Sequence, residues 1–241
     1  MSRAPETRRR FHDELDELER DLGAEGSLAA DAVERAITAL VHVDTDLAQA
    51  VIDGDDPIDE HYLDIERRIL DILALQTPVA TDLRLLFVIL HTNLHLERVG
   101  DQAVNVAKLT LATKDLPRDP TIVSHLQEMG DVVVQMLRTA IDAFIRRDLA
   151  LALRLPEMDD PVDMLNRGMY RQVVGLADDP ARLEWGVLMD VVARQLERVG
   201  DNAVDIGEQV SFLLTGEFRE FTDASHDIAP VPIAPHTSPS S

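Results

Sequence analysis

Apolar residues recur at helical spacing along most of this 241-residue chain. The spacing is clearest in the stretches FHDELDELERDL, DAVERAITALVHVDTDLAQAVI, HYLDIERRILDILALQ, TDLRLLFVILHTNLHLERVGDQAVNVAKLTLA, IVSHLQEMGDVVVQMLRTAIDAFIRRDLALAL, DMLNRGMYRQVVGL and ARLEWGVLMDVVARQLERVGDNAVDIGEQVSFLL. No alternating strand pattern interrupts them. The breaks between them combine Pro with Asp or Gly, as in DGDDP, QTPVA, KDLPRDP, LPEMDDP and LADDP. The pattern therefore predicts an all-α protein.

The two halves of the chain repeat one another. DLAQAVIDGDDPID begins at Asp46 and DLALALRLPEMDDPVD at Asp148, while LERVGDQAVNV begins at Leu96 and LERVGDNAVDI at Leu196. Self-similarity at a fixed period marks a duplicated structural unit. We expect each unit to contain three main helices in an up-down-up bundle, with a short extra helix around DLAQAVI or DLALAL.

The predicted architecture is two tandem, pseudo-repeated three-helix bundles with six main helices. The first bundle covers residues 1–113 and the second covers residues 121–221, with residues 114–120, KDLPRDP, as the linker. Residues 222–241 are rich in Pro, Ser and Ala and lack a helical period, so we expect them to form a disordered tail.

Composition excludes several classes of function. The chain has no cysteine, which excludes disulfides, thiolate metal sites and thiol catalysis. The formal net charge of -22 disfavours binding to nucleic acid and to anionic lipid. No apolar run is long enough to span a membrane, and no apolar segment follows the basic N-terminal cluster, so we expect a cytoplasmic protein without direct membrane insertion.

The repeated motif places acidic side chains on one side of a helix. At about 100° per residue, Glu97, Asp101 and Asn105 form one polar stripe beside the apolar face, in which Gly100 leaves room for a neighbouring helix. The second copy repeats the stripe with Glu197, Asp201 and Asp205, and Asp190 and Glu208 return to the same side. Acidic pairs at this spacing repel each other, and the arginine beside each motif glutamate points about 100° away.

A metal ion would neutralise such a stripe. Carboxylates from adjacent helices hold cations in other helical bundles, and an all-oxygen ligand set suits hard or borderline cations rather than structural zinc. The second stripe is the more acidic, so we expect it to hold a cation more strongly. The alternative is that these carboxylates pair with arginines of a neighbouring helix or face water.

Other candidates are weaker. His91 and His95 have a spacing compatible with metal binding, but they lie more than 100° from Glu97 on the helix. Asp59 and Asp163 follow Pro in what we expect to be the first turn of a helix, where they would serve the helix terminus or add a metal ligand. The sequence has no phosphate-binding Gly-rich loop, no G-x-S-x-G motif and no H-E-x-x-H motif, so we expect no enzyme activity.

These motifs, in this order, resemble the PhoU family, the accessory regulators of high-affinity phosphate transport. The resemblance rests on both copies of LERVGD-x-AV, and on QTPVATDLRLL, DLAQAVIDGDDPIDEHYLDIE, RRRFHDELDEL and MLRTAIDAFIRRDLALA. It covers about residues 5–215, nearly the whole chain apart from the tail.

The resemblance implies a cytoplasmic, non-enzymatic protein that is often a homodimer. Such proteins are negative regulators that link the ATPase subunit of the phosphate ABC transporter to a phosphate-responsive sensor histidine kinase. Family E(D)-x-x-x-D motifs bind iron or other divalent cations in some members, which marks Glu97 with Asp101 and Glu197 with Asp201. The second copy departs from the pattern, because Asp205 stands where the first copy keeps Asn105.

Two other functions compete with this one. A metal-dependent hydrolase or oxidase would use the same carboxylate stripes as a multinuclear centre. A purely structural adaptor would bind no metal.

Overall fold

The computed structural model describes the backbone of residues 4–221 and the side chains from residue 10 onward. This part of the chain contains helices and no strand, which confirms the all-α class. The helices are α1 (Ala4–His42), α2 (Thr45–Ile52), α3 (Asp56–Gln76), α4 (Thr81–Thr113), α5 (Pro120–Arg146), α6 (Leu149–Ala152), α7 (Leu155–Val174) and α8 (Pro180–Thr215). Six are long, and the short α2 and α6 are the predicted extra helices. The two pseudo-repeated three-helix bundles are therefore confirmed.

Aspartates begin several of the helices. The carboxylate of Asp119 accepts hydrogen bonds from two backbone N–H groups at the start of α5, and Asp148 and Asp179 do the same for α6 and α8. A proline follows Asp119 and Asp179, where its fixed φ suits the first helical turn. The predicted breaks at KDLPRDP and LADDP thus contain the caps that start the next helix. The predicted tail, residues 222–241, lies outside the described residues.

One predicted break is wrong. LPEMDDP, residues 155–161, lies entirely within α7, which begins at Leu155 with Pro156 in its first turn and Pro161 inside it. Asp163 therefore lies in the middle of α7, and the expectation that it serves a helix terminus is wrong. Asp59 does lie in the first turn of α3, as expected.

Backbone geometry fixes the register of the repeat. Val43 and Arg147 both adopt a left-handed conformation, with φ of 55° and 54°. The aspartates that follow them, Asp44 and Asp148, are the N-caps of α2 and α6. The structure thus pairs Asp44 with Asp148, whereas the letter match DLAQAV with DLALAL pairs Asp46 with Asp148 and is shifted by two residues.

The two repeats pack against each other through α1 with α5 and α4 with α8. A Cβ on Gly26 would lie 2.5 Å from Cδ1 of Ile141, and a Cβ on Gly130 would lie 2.7 Å from Cγ1 of Ile37. When the repeats are aligned with Asp44 opposite Asp148, Gly26 corresponds to Gly130 and Ile37 corresponds to Ile141. The two contacts are therefore equivalent, and α1 and α5 cross with approximate twofold symmetry. One cluster of buried apolar residues runs through both repeats. Of the described helices, none has both the length and the apolar character needed to cross a bilayer.

Candidate metal centres

Each copy of the repeated motif lies on the last helix of its repeat. The first copy is on α4 and the second is on α8, and both stripes border the buried face of their helix. The predicted site residues remain accessible to differing degrees: Glu97, Glu197 and Asp205 are half-buried, and Asp101, Asn105 and Asp201 are exposed.

A second helix faces the α8 stripe with further carboxylates. An open pocket of about 580 Å³ lies between α7 and α8. Arg167 lines it and pairs with the carboxylate of Asp163 on its own helix. The acidic residues of the lining far outnumber this arginine, and they are Asp159, Asp160, Asp163, Glu197, Asp201, Asp205 and Glu208. We call this group the second cluster.

Burial and repulsion within the second cluster raise the pKa of two of its carboxyl groups. Burial raises the pKa of Asp159 to about 7, and Asp201, Asp163 and Glu197 raise it further. The pKa of Asp201 rises to about 6, first because the surrounding protein removes part of the water from its carboxylate although the residue is exposed, and then through the charges of Glu197 and Asp205. Protons relieve this repulsion in acid, and fewer protons are bound to do so as pH rises above neutral.

The first repeat has an equivalent group of carboxylates between α3 and α4. Burial raises the pKa of Glu97, as do the nearby charges of Asp101 and Asp59. Burial, Asp59 and Asp101 also raise the pKa of Asp55, while the ammonium of Lys108 opposes them. We call the four carboxylates Asp55, Asp59, Glu97 and Asp101 the first cluster.

The glycine of each motif lets the neighbouring helix approach. A Cβ on Gly200 would lie 2.5 Å from Oδ1 of Asp159, and a Cβ on Gly100 would lie 3.3 Å from Oδ1 of Asp55. The close approach expected at Gly100 is therefore confirmed, and it brings an aspartate of α3 or α7 against the motif helix.

Asp55 and Asp159 were not predicted from the sequence. Both begin a repeated D-x-x-x-D string, in DDPID and in DDPVD, whose second aspartates are Asp59 and Asp163. The recurrence of this string, together with that of the E-x-x-x-D motif, is the signal in the sequence that marks them. The Pro beside Asp obscures it, because that pair is typical of a turn.

The structure places the remaining candidates in different positions. Nδ1 of His95 is 2.8 Å from Oδ1 of Asn202 and 3.5 Å from Oδ2 of Asp205, so His95 reaches the second motif rather than its own. Asp190 pairs with Arg194 at 3.1 Å and does not line the pocket of the second cluster, contrary to its expected place on the stripe. Glu208 does line that pocket.

The chemistry of both clusters fits a cation. Every donor of the two clusters is a carboxylate oxygen, the ligand type of hard and borderline metals. Oδ1 of Asp159 is buried without a hydrogen-bond partner, which leaves an acceptor available. Among the described side chains, no three His, Asp or Glu groups converge closely enough to hold a metal ion as they stand. Binding would therefore require the carboxylates to rotate toward a common point.

A family model described as the PhoU domain matches the chain twice, over residues 22–110 and 126–210. The chain is 34% identical over 217 residues to the phosphate-specific transport system accessory protein PhoU homolog of Pseudomonas putida, covering 90% of this chain and 83% of that protein. It is 33% identical over 208 residues to the protein named phosphate-specific transport system accessory protein PhoU of Escherichia coli, covering 86% of each.

Two solved structures have the same fold. The crystal structure of PhoU from Pseudomonas aeruginosa superposes with a TM-score of 0.82 at 34% identity, covering 86% of this chain and all of that one. The phosphate transport system regulatory protein PhoU from Streptococcus pneumoniae gives 0.81 at 28% identity, covering 88% of this chain and all of that one.

Proposed function

Because the chain belongs to the PhoU family, we propose that it is an accessory protein of phosphate transport that represses the phosphate-starvation response. Its relatives are named for the transport system that they accompany. In this proposal the protein links the ATPase subunit of the phosphate ABC transporter to a phosphate-responsive sensor histidine kinase in the cytoplasm. It does so through protein contacts.

The observation that carries the cation part of the proposal is the duplicated acidic pair. Each repeat sets a D-x-x-x-D string of one helix against the E-x-x-x-D motif of the next, with a motif glycine at the point of approach. We propose that iron or another divalent cation binds at each cluster. In the first repeat the ligands would be Glu97, Asp101 and Asn105 of α4, together with Asp55 and Asp59. In the second repeat they would be Glu197, Asp201 and Asp205 of α8, together with Asp159 and Asp163.

A bound cation would supply positive charge between two helices that otherwise repel each other. The chain's own residues fix the spacing of those helices, through the glycines, and provide the oxygen donors. The raised pKa values of Asp159 and Asp201 mean that binding competes with protons near neutral pH.

Exposed leucines on α3 are suited to protein contacts. Leu63, Leu70 and Leu73 lie on one side of α3 and are 61%, 66% and 37% exposed. Exposed apolar groups in a row favour association with another protein surface. We propose that this row contributes to the contact with the transporter ATPase, and that a separate surface forms the homodimer.

Genetics and binding together test the regulatory proposal. Deleting the gene should switch on phosphate-starvation genes in high phosphate, and their continued repression would contradict the proposal. A pull-down with the transporter ATPase and the sensor kinase, at high and at low phosphate, should recover both partners with the wild-type protein. Leu63→Asp with Leu70→Asp should weaken recovery of the ATPase, and Val187→Asp on α8 serves as the control for an exposed apolar residue elsewhere.

We propose that the chain acts by binding rather than by turnover, in keeping with the accessory role that its relatives' names describe. The competing function is a metal-dependent hydrolase or oxidase at the same clusters. Metal-loaded protein should turn over neither phosphoesters nor polyphosphate, and should consume no oxygen. Turnover that disappears in Glu97→Ala or Glu197→Ala would favour the enzyme.

A further inference from the structure

His95 belongs to the first repeat but lies against the second motif. It is 8% exposed and lies where α4 packs on α8. Its Nδ1 is 2.8 Å from Oδ1 of Asn202 and 3.5 Å from Oδ2 of Asp205. Asp205 lines the pocket of the second cluster, whereas His95 does not. The histidine therefore lies behind the second cluster and contacts one of its carboxylates.

The hydrogen bonds around Asn202 place a hydrogen on Nδ1 of His95. The amide nitrogen of Asn202 donates to the backbone carbonyl of Arg198 at 2.7 Å, which leaves the amide oxygen facing the histidine. Because an amide oxygen only accepts hydrogen bonds, Nδ1 of His95 is the donor. A ring nitrogen that carries a hydrogen has no lone pair for a metal ion. Nδ1 thus faces Asp205 as a hydrogen-bond donor and not as a metal ligand.

The repeat has this contact in one direction only. Aligning the two motifs gives the equivalent positions, which are His95 with Gln195, Asn202 with Gln102, and Asp205 with Asn105. Oε1 of Gln102 is buried without a hydrogen-bond partner among the described residues. The first motif has no carboxylate at Asn105 to receive such a contact. A side chain of the first repeat therefore supports the second cluster, and the reverse arrangement does not exist.

We infer that His95 is a positioning residue of the second cation site, where it orients Asp205 for the ion. The inference rests on the proposed cation sites. Oδ2 of Asp205 lies just beyond hydrogen-bonding distance of Nδ1, and a small rotation of the carboxylate brings the two within reach. Asp205 then holds the histidine with one oxygen and offers the other to the cation. Removing a group that supports a metal ligand in this way typically lowers metal affinity by about 10–100-fold.

The mobility of Asp205 explains why such support matters. Its side chain is 47% exposed, and His95 is its only basic contact among the described residues. A half-exposed carboxylate loses rotational freedom when it binds an ion, and a donor that already restrains it reduces that loss. His95 lies two residues before Glu97 on α4. One helix therefore carries a ligand of the first site and the support of a ligand of the second.

Calorimetric titration of the full-length chain with Mn²⁺ tests this role at each cluster separately. Glu97→Gln with Asp101→Asn disables the first cluster, and Glu197→Gln with Asp201→Asn disables the second. With the first cluster disabled, His95→Leu should weaken Mn²⁺ binding at the second cluster by about 10–100-fold. With the second cluster disabled, the same substitution should leave Mn²⁺ binding at the first cluster unchanged, although His95 is on the helix of the first motif.

A conservative substitution separates hydrogen bonding from packing and from metal ligation. The amide nitrogen of asparagine is attached to Cγ, as Nδ1 is in histidine, so His95→Asn keeps an N–H group at that place without an imidazole. This variant should restore most of the Mn²⁺ affinity that His95→Leu loses. Gln195→Leu is the matched control, because it removes the equivalent polar side chain from α8 and should leave binding at the second cluster unchanged.

Nuclear magnetic resonance provides a readout that does not depend on affinity. Long-range proton–nitrogen spectra should show a hydrogen on Nδ1 of His95 both before and after addition of Mg²⁺. The Nδ1 signal should shift on addition of Mg²⁺ only while the second cluster is intact. Loss of this hydrogen when Mg²⁺ binds would indicate direct ligation by the histidine and would overturn the positioning role.

Different failures have different meanings. Equal weakening at both clusters in His95→Leu would indicate a general effect on α4 and would overturn this inference alone, as would unchanged binding at the second cluster. The same conclusion follows if His95→Asn binds Mn²⁺ no better than His95→Leu. Absence of Mn²⁺ binding in the unsubstituted chain and in every variant, with circular dichroism showing intact helices, would overturn the proposed cation sites and this inference together.

Discussion

Glu25 is the residue that fits its surroundings least well. It is completely buried on α1, and neither carboxyl oxygen has a hydrogen-bond partner. Burial raises its pKa to about 9, with Glu97 adding to the effect. In the register that pairs Gly26 with Gly130, the equivalent residue of the second repeat is the buried Met129. The first repeat thus carries a carboxyl group where the second carries a thioether.

Replacing this carboxyl should stabilise the protein. Because its pKa is raised in the folded state, the stability associated with Glu25 is present in acid and is lost as pH rises from 4.5 through about 9. Glu25→Met should therefore increase the free energy of unfolding by about 2–4 kcal/mol at neutral pH, and by more at higher pH within that window. Urea unfolding at several pH values measures this. Met129→Glu is the reciprocal control and should destabilise, and a loss of stability in Glu25→Met would contradict the expectation.

The second cluster predicts a dependence of stability on pH in chelator-treated protein. The pKa of Asp159 rises from 3.8 to about 7 on folding, so the folded state binds the extra proton between those values. Asp159 alone should then lower stability by about 2 kcal/mol between pH 5 and pH 8, after allowance for solvent screening, in addition to the fall that Glu25 causes. Asp159→Asn should make the slope shallower by that amount, whereas substitution of the exposed Asp13 by Asn should leave it unchanged. An unchanged slope in Asp159→Asn would contradict the predicted shift.

At this scale the sequence predicts the part of each cluster that lies on α4 and α8, and it offers Asp59 and Asp163 as possible further ligands. The motif residues on α4 and α8 could be found because they repeat and share one side of a helix. Asp55 and Asp159 could not be placed, because only the packing of α3 and α7 brings them against Gly100 and Gly200. Glu25 carried no signal, since an isolated glutamate beside glycines is typical of an exposed turn.

Among the elements, α1 shows how tertiary packing overrides local pattern. The string GAEGS interrupts its apolar spacing, yet the helix runs through it from Ala4 to His42. Gly23 lies against Ile145, and Gly26 lies against Ile141. The glycines therefore create a site for α5 to cross and do not end the helix. Sequence alone predicts the helical class well, but it cannot distinguish a glycine that ends a helix from one that allows a neighbouring helix to pack closely.

Substituting the glycines at this crossing should show which role they have. A Cβ on Gly130 would lie 2.7 Å from Cγ1 and 3.2 Å from Cβ of Ile37, a branched side chain that cannot turn away easily. Gly130→Ala should therefore destabilise the protein by about 2 kcal/mol despite the better helix propensity of alanine. Gly168→Ala on α7, where a Cβ meets nothing within 4 Å, is the control and should stabilise by about 0.5–1 kcal/mol. Thermal melts of the two variants compare them directly, and equal shifts would show that the crossing has no steric role.

On the scale of the whole molecule, the two repeats share one core. The buried apolar cluster continues from α1 and α4 into α5 and α8, and His95 of the first repeat contacts Asn202 of the second across that junction. Repeats that share one buried core are expected to unfold together, although the sequence divides cleanly into two units.

Trp185 allows this cooperativity to be measured. It is the only tryptophan in the chain, it is buried in α8, and its fluorescence reports on the second repeat alone. Ile69→Ala removes a buried side chain from α3 in the first repeat and should destabilise by about 2–4 kcal/mol. If the repeats unfold as one unit, the Trp185 transition in urea should shift by that full amount and should coincide with the transition seen by circular dichroism.

Met169→Ala on α7 is the matched change in the second repeat, and it must shift the Trp185 fluorescence transition whether or not the repeats unfold together. A Trp185 transition that Ile69→Ala leaves in place would mean that the repeats fold independently, and the shared core would then contribute little to holding them together.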